Sequence, residues 1–336
     1  MVKGFYKNKT VYFKGKEMIN IGMLCPAPSD GTSYYRAWGP LNELRKTMPE
    51  LNLISKPGWE WPDMGNIDIG FIQRPFQPNH AMACQFARKN GVKVWADFDD
   101  NLLDIPRSNP VYDQYEGKQE NIITALDFAD VVTVSTERLA KVYGKYNKNV
   151  RVIENGINTK DWGSPDLEWE GRQNVILWRG SPTHQGDLYH AKEAILDAYR
   201  SLPGWKWVFL GYEPWFITEE MNENDYAYEP FKNLHDFVYD LKSIRPRVTI
   251  FPLDDNELNR GKSLNCVEDA TWIGSLFVCP EWYANAPNCF TDIKEAALAS
   301  LDKGFTEAAL KETIGMVRTL EKQNERRREL ILSLVR

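Results

Sequence analysis

Short apolar runs alternate with helix-like segments along this chain, and this alternation is what most constrains its fold. In the first half the runs lie at 19–24, 51–54, 67–73, 92–96, 131–134 and 150–153. The segments between them have the spacing of amphipathic helices, as in His80 to Asn90 and Gln119 to Phe128. Parallel strands joined by helical crossovers give a sheet with helices on both faces. We therefore predict a Rossmann-like domain at 1–157.

The alternation stops and then starts again. The segment 158–172 contains Gly, Pro, Trp and acidic residues without periodicity, which indicates a linker. Further strands are predicted within 173–290, which would form a second Rossmann-like domain with an irregular insertion at 212–228. We expect helices at 291–336 that could pack back towards the first domain.

Composition limits the classes of partner. A net charge of -6 over 336 residues argues against general nucleic-acid binding, which needs a concentrated positive face. The first 56 residues are more basic than the rest, so an anionic partner at that end stays open. We found no apolar run long enough to cross a bilayer and no secretory signal, although peripheral membrane contact remains open. Five scattered cysteines without metal-ligand spacing favour reduced thiols in a cytoplasm.

A strand-loop-helix-strand unit at 248–280 contains the first candidate site. Its polar turn includes Gly261, and a helix is predicted at 262–273. The positive end of that helix, where backbone N–H groups favour a phosphate, would hold Asn259, Lys262 and Ser263. Glu268 lies further along the helix and can accept hydrogen bonds from sugar hydroxyls. The alternative is an ordinary βαβ unit with a charged, solvated helix start.

The loop after the first strand is a second candidate. It is rich in Gly, Ser and Pro, and doubly wound sheets collect ligands at such strand ends. It lacks the GxGxxG pattern, so a dinucleotide fingerprint is not supported. We predict a loop that binds phosphate or sugar, before a helix that runs to about Met48, and its residues are Gly31, Thr32, Ser33 and Arg36.

The strand at 92–96 runs directly into the carboxylates of Asp97, Asp99 and Asp100. Such a group could bind a hard divalent cation, act as a general base or hold sugar hydroxyls. A helix cap with solvated acids is the structural alternative. No Ser/His/Asp or Cys/His arrangement suggests a protein nucleophile.

Several local sequences, taken in order, resemble the GT-B glycosyltransferases and most closely their retaining, GT4-like group, with a phage-type member as one option. They lie at 94–102, 129–137, 152–157, 178–187 and 251–280. The resemblance implies an α/β fold of two Rossmann-like, doubly wound parallel-sheet domains that face each other across a cleft, with a helical C-terminus. It also implies that the C-terminal domain holds a nucleotide-diphospho-sugar, such as a UDP-sugar, and the N-terminal domain the acceptor.

The resemblance assigns roles by position. Glu268 would bind the ribose hydroxyls, and Arg179 and Lys262 would neutralise the diphosphate. The remaining donor-binding residues would be Gly180, Ser181, His184, Asn259 and Ser263. The acids at 97–100 would orient or deprotonate the acceptor hydroxyl. Because GT-B enzymes bind the diphosphate with cations and helix ends, we expect no metal site and no obligatory cofactor.

One position departs from the pattern of the family. Related enzymes usually carry Glu-x7-Glu, with the earlier Glu on the transferred sugar, but this sequence has Arg260 at that position. Glu257 and Asn259 are the nearby candidates for the missing sugar contact.

The function implied is transfer of a sugar to an acceptor hydroxyl with retention of configuration. Two acceptor classes stay open: a glycan or lipid-linked saccharide, and a hydroxymethylated pyrimidine in phage DNA. A sugar-nucleotide epimerase and an inactive donor-binding scaffold are the alternatives to a transferase.

Overall fold

The structure is a computed structural model, and it describes residues 12–13, 16–56, 61, 64–231 and 233–335. Contacts divide the chain into two compact units. Unit 1 comprises residues up to Asp104, Tyr115–Asn155 and the chain from Glu321, and unit 2 comprises Ile105–Gln114 and Gly156–Leu320. Compared with the predicted division near 157, each unit therefore includes a segment from the other half of the sequence.

Strands and helices follow one another with short connections. Up to residue 155 they are β1 (Tyr12–Phe13), β2 (Lys16–Glu17), β3 (Ile19–Leu24), α1 (Gly31–Arg36), α2 (Trp38–Thr47), β4 (Leu51–Ser55), β5 (Ile69–Gln73), α3 (Pro78–Lys89), β6 (Lys93–Phe98), α4 (Tyr112–Tyr115), α5 (Gln119–Phe128), β7 (Val131–Val134), α6 (Glu137–Tyr143) and β8 (Val150–Val152). After it they are α7 (Thr159–Trp162), β9 (Val175–Arg179), α8 (Gln185–His190), α9 (Lys192–Ser201), β10 (Lys206–Leu210), α10 (Trp215–Glu220), β11 (Tyr226–Glu229), α11 (Leu234–Ile244), β12 (Val248–Ile250), α12 (Glu257–Arg260), α13 (Asn265–Trp272), β13 (Leu276–Val278), β14 (Cys289–Phe290), α14 (Ile293–Ala299), α15 (Lys303–Ile314) and α16 (Leu320–Val335).

The sheet of unit 1 has the order β4-β3-β5-β6-β7-β8, and all its neighbouring strands are parallel. β5 and β7 are buried along their whole length, which explains why they read as continuous apolar runs. Residues of α2 pack with β3 and β5 in one apolar core that also includes Leu330 and Ile331 of α16. The last helix is thus part of this unit.

The loop predicted at Gly31–Ser33 is wrong in its conformation, because these residues form the first turn of α1. Asp30 caps the helix by accepting a hydrogen bond from the backbone N–H of Thr32 at 2.8 Å. The Asp, Gly, Thr and Ser of this segment suit a helix start as well as a loop, so composition alone did not separate the two.

The sheet of unit 2 has the order β11-β10-β9-β12-β13-β14 and is also parallel. Its strand order reverses between β9 and β12, the position at which open α/β sheets bind ligands. The insertion predicted at 212–228 is partly regular, because it contains α10 and most of edge strand β11. Half-buried and exposed residues make up β11, so the apolar signal of a strand is absent there.

The helix predicted at 262–273 begins later than expected. The structure has a short helix, α12, then a turn through Gly261 to Leu264, and then α13 from Asn265. Asn256 caps α12 by accepting from the backbone N–H of Asn259 at 2.9 Å. Within the described ranges, no helix combines the length and the apolar character that spanning a membrane requires.

Candidate functional site

The carboxyl ends of β9 and β12 are connected by one carboxylate in unit 2. Asp187 Oδ1 accepts hydrogen bonds from Asn259 Nδ2 at 2.7 Å and from the backbone N–H of Asp254 at 2.9 Å. His184 Nδ1 donates to Asp187 Oδ2 at 2.8 Å. Burial opposes ionisation of Asp187, but these partners hold its pKa below the usual range. A buried, ionised carboxylate therefore fixes the two strand-end loops to each other.

Arg179 ends β9 with its guanidinium against α13. It pairs with Asp269, whose side chain is buried, and it lies 5.5 Å from the ring centroid of Phe237. The planar guanidinium is held by a carboxylate on one side and an aromatic ring on another. The cation predicted for the diphosphate is therefore fixed in position at the strand end.

Glu268 is buried, although the sequence predicted a side chain that faces an open crevice. Arg318 donates to Glu268 Oε1 from Nη1 at 2.8 Å and from its backbone N–H at 3.2 Å. Burial raises the pKa of Glu268 to about 7, and the charge and hydrogen bonds of Arg318 oppose that rise. The carboxyl group thus keeps its proton to a higher pH than an exposed glutamate does.

Lys262 and Ser263 lie in the turn before α13, on the N-terminal side of the helix. Both are half-buried. Tyr283 Oη donates to the backbone oxygen of Ser263 at 2.6 Å, which fixes the turn against the strand-end aromatics. Lys262 and Ser263 are therefore near the positive end of α13, as predicted, but they come before the helix and are not part of it.

Asn259 contacts protein groups instead of projecting from a helix start. It is buried, and its amide donates to Asp187 and to the backbone oxygen of Asp254 at 2.9 Å. The side chain therefore shapes the turn, and both hydrogens of its amide are donated to protein oxygens.

Gly180, the residue after Arg179, has no room for a side chain. A Cβ there would lie 2.8 Å from Trp178 Cζ2 and 3.3 Å from His184 Cδ2. The next residue, Ser181, is exposed, and its hydroxyl lies 2.6 Å from that of Thr183. Bare backbone and two hydroxyls therefore line the loop after β9.

Arg260, at the position of the expected Glu, lies on the surface. Its Nη2 donates to Asp255 Oδ2 at 2.7 Å, and its guanidinium lies 5.2 Å from the ring centroid of Trp282. It thus closes the turn that contains α12. Glu257, the first residue of that helix, is half-buried.

In unit 1 two predicted site residues bind each other. Arg36 donates to Asp97 from Nη2 at 2.7 Å and from Nε at 3.0 Å, and Thr133 Oγ1 donates to the same carboxylate at 2.6 Å. Both Arg36 and Asp97 are almost fully buried. Arg36 also donates to Asn155 Oδ1 at 3.0 Å. The geometry gives both residues a structural role, and neither presents a free group to an acceptor.

Asp99 and Asp100 form a separate, more accessible cluster. Arg74 Nη2 donates to Asp99 Oδ2 at 2.7 Å and to Asp100 Oδ2 at 2.8 Å. Arg74 has a φ of 51°, which is uncommon for a residue with a side chain and is found more often at functional sites. Burial raises the pKa of Asp99, and Arg74 opposes the rise. Of the predicted acids, these two suit proton transfer best.

The other predicted residues of this edge support α1. Ser33 is buried, and its hydroxyl donates to the backbone oxygen of Pro26 at 2.9 Å. Thr32 Oγ1 donates to Asp30. Gly31 is the exception, since a Cβ there would meet no atom within 4 Å.

Sequence reasoning assigned no role to four residues that organise these clusters: Arg74, Asp187, Asp269 and Arg318. Arg74 could have been found, because it directly follows β5, the strand next to that of the acids. Arg318 gave no local signal, since it meets Glu268 from 50 residues away.

No protein-family model matches this sequence, and neither does any curated protein. The fold of this chain does resemble the folds of solved structures. The structure of Anabaena HepE in complex with UDP and glucose aligns over 94% of this chain and 99% of its own, with a TM-score of 0.63 and 12% identity. A putative UDP-N-acetylglucosamine 2-epimerase from Listeria monocytogenes covers 92% of this chain and 94% of its own, with a TM-score of 0.55 and 13% identity.

A third solved structure is the pneumococcal O-GlcNAc transferase GtfA in complex with UDP and GlcNAc. It aligns over 79% of this chain and 57% of its own, with a TM-score of 0.54 and 13% identity. At these identities the likeness concerns the fold. The predicted fold class is confirmed: this chain has two parallel, Rossmann-like sheets with helices, as found in the GT-B glycosyltransferases.

Proposed function

We propose that the chain is a glycosyltransferase that takes a sugar from a nucleotide-diphospho-sugar, most simply a UDP-sugar. The observation that carries the proposal is the assembly of Arg179, the Lys262 turn and Glu268 around the switch point of the unit 2 sheet. Two cations and a helix start favour a diphosphate, and a carboxylate favours vicinal hydroxyls. UDP in the structures of HepE and GtfA supports the choice of nucleotide.

The residues have separate roles in the proposed donor site. Arg179 and Lys262 neutralise the diphosphate, whose charge grows as it leaves. The backbone at Gly180 allows close approach of the phosphate, and the hydroxyl of Ser181 adds a donor beside it. His184 donates to Asp187 from Nδ1, so it can donate to the phosphate from Nε2 only as an imidazolium. Glu268, in its ionised form, accepts hydrogen bonds from the ribose hydroxyls.

The proposed reaction needs no protein nucleophile. The acceptor oxygen forms a bond to the anomeric carbon while the bond from that carbon to the phosphate oxygen breaks. The electron pair leaves with the nucleoside diphosphate. Attack from the face of the leaving group gives retention, and the acceptor proton passes to the departing phosphate or to a carboxylate. Asp99 and Asp100 are the proposed acceptor-side groups.

We propose that no divalent metal is obligatory. In the parts of the chain that the structure describes, no three His, Cys, Asp or Glu side chains are placed to hold a metal ion. The cation at the Asp99–Asp100 cluster is Arg74. Sugar transfer should persist after exhaustive treatment with a chelator. Loss of transfer on chelation, restored by added Mg²⁺ or Mn²⁺, would contradict the proposal that no metal is obligatory.

The acceptor hydroxyl belongs either to a saccharide, free or lipid-linked, or to a hydroxymethylated pyrimidine in DNA. Epimerisation of the donor is a second candidate function, favoured by the likeness to the putative 2-epimerase from Listeria. A reversible epimerase returns its product as a nucleotide sugar, whereas a transferase releases one nucleoside diphosphate for each sugar moved to an acceptor. The two are therefore separable by product.

A thermal-shift panel of UDP-, GDP-, ADP- and CMP-sugars tests the donor site. We expect one nucleotide family to raise Tm, as ligand binding to the folded state requires. Glu268→Gln should reduce that shift, and the matched variant Glu312→Gln, on α15, should not. If no nucleotide sugar raises Tm, or if both variants behave like the native chain, the donor-site assignment is wrong. If one nucleotide sugar does raise Tm, release of its nucleoside diphosphate together with recovery of the sugar on an added acceptor would identify a transferase.

A further inference from the structure

A cavity of about 210 Å³ opens in unit 2, separate from the Glu268 pair. Three of its lining residues are aromatic and at least partly exposed: Tyr189 of α8, Tyr212 after β10 and Trp215 of α10. The volume equals that of about seven waters in the liquid, which is enough for one sugar ring. No role in the proposed donor site falls on these residues.

Two of the rings are unusually exposed for their type. Tyr189 is 61% exposed and Trp215 is 45% exposed, in the same cavity. Lys192 Nζ lies 4.7 Å from the Trp215 ring centroid, and Phe216 packs edge-on against it at 6.1 Å. The indole is therefore held in place while one side of it stays open. Exposed aromatic groups that are held rigidly are characteristic of binding surfaces.

Polar groups complete the rim. Ser108 and Gln185 contribute a hydroxyl and an amide. His190 Nδ1 lies 2.9 Å from the backbone oxygen of Gly186, so it donates there and leaves Nε2 as an acceptor. Flat apolar faces surrounded by separate donors and acceptors match a pyranose, whose ring has apolar C–H faces and hydroxyls at its edge.

Aromatic rings can stack on sugars and on nucleobases, and the charge around the cavity distinguishes between these two ligands. The segment 212–229, which supplies Tyr212 and Trp215, contains six acidic residues and no Lys or Arg. Nucleobases also stack on aromatic rings, but their phosphates need neutralising cations. Lys192 is already within 3.5 Å of Glu220. A neutral ligand fits this surface, and a polyanion does not.

We propose that the Tyr189–Trp215 cavity binds a neutral saccharide. The cavity alone supports the binding of a saccharide. That this saccharide is the acceptor of the reaction rests on the proposed transferase function. The proposal selects the glycan over DNA among the acceptor classes.

The test is isothermal titration with maltohexaose, cellohexaose and chitohexaose, and with a hydroxymethylated single-stranded oligonucleotide. We expect at least one hexasaccharide to bind the intact chain and the oligonucleotide not to. Trp215→Ala and Tyr189→Ala should each weaken saccharide binding about tenfold. The control Tyr239→Ala removes a more exposed aromatic ring, on α11, and should have no effect.

A UDP titration of the same variants separates the two proposals. If Trp215→Ala binds UDP like the native chain but binds the hexasaccharide about tenfold more weakly, the cavity is a saccharide site independent of the donor. Binding of no hexasaccharide by the native chain, or equal loss in Tyr239→Ala, overturns the saccharide proposal while leaving the donor site intact. If the native chain binds the oligonucleotide and Trp215→Ala does not, the saccharide proposal is overturned and the cavity binds nucleic acid.

Discussion

Buried Glu268 and half-buried Arg318 form an ion pair in which one carboxylate oxygen accepts from both the guanidinium and the backbone N–H of the arginine. The pair joins α13 to the segment between α15 and α16. A carboxylate proposed to bind ribose is thereby held in a fixed orientation before any ligand arrives. Preorganisation of this kind reduces the entropy lost on binding.

The first prediction concerns pH and stability. Burial raises the pKa of Glu268 from 4.5 to about 7. Between these values the folded chain keeps a proton that the unfolded chain has lost, so this group lowers stability as pH rises and has no further effect above about pH 7. We expect the free energy of unfolding to fall from about pH 5 to about pH 8 by up to about 3 kcal/mol more in the native chain than in Glu268→Gln. Urea denaturation at the two pH values measures this difference. An identical pH dependence of the two chains would contradict the raised pKa.

The second prediction separates the acids of unit 1. Asp97→Asn leaves Arg36 buried without its anionic partner, so we expect a loss of about 3–5 kcal/mol in the free energy of unfolding. Asp104→Asn, on the exposed loop after the acids, is the control and should change it by less than about 0.5 kcal/mol. Chemical denaturation measures both. If Asp97→Asn is as stable as the control but inactive, Asp97 has the catalytic role that its burial argues against.

The third prediction concerns the backbone that supports α13. Gly274 follows this helix with a φ of 72°, and an added Cβ would lie 2.0 Å from the backbone oxygen of Asp166. Gly274→Ala should therefore lower the free energy of unfolding by about 1–3 kcal/mol or more. Gly304→Ala, on α15, should raise it by about 0.5–1 kcal/mol, because an added Cβ makes only an ordinary contact with Asp302 Oδ1 at 3.5 Å and Ala favours helix. Denaturant titrations should therefore give changes of opposite sign in the free energy of unfolding for the two variants. Equal changes would contradict the steric explanation.

The strands were largely predictable from sequence, and the physical reason is burial. β3 and β7 were predicted with their observed bounds, because both are nearly or wholly buried and read as uninterrupted apolar runs. β11 was missed, because it lies at a sheet edge with Tyr228 and its neighbours exposed. A strand that contributes little to the core carries little hydrophobic signal.

The site was predictable in its location but not in its contacts. Arg179 and Asp97 were predicted near the carboxyl ends of parallel strands and Glu268 within the following helix, and the structure has them there. Which side chain pairs with which depends on contacts between residues far apart in sequence. Arg36 reaches Asp97 across 61 positions, and no local pattern encodes such a pair.

Arg260 illustrates the same limit. Counting back from Glu268 gave an arginine where a sugar-contacting glutamate was expected. The structure shows it on the surface beside Asp255 and Trp282. The sugar contact of the proposed donor site must then come from other residues, and Glu257 stays a prediction.

The central claim is that the strand ends of unit 2 bind a nucleoside diphosphate. Isothermal titration of UDP into the native chain, Lys262→Met and Lys311→Met tests it most directly. Lys311 is exposed on α15, so its variant removes the same charge from the same unit. We expect Lys262→Met to raise Kd about tenfold or more, and Lys311→Met to leave it unchanged. Absence of UDP binding by the native chain, or equal weakening by the two lysine variants, would contradict the account.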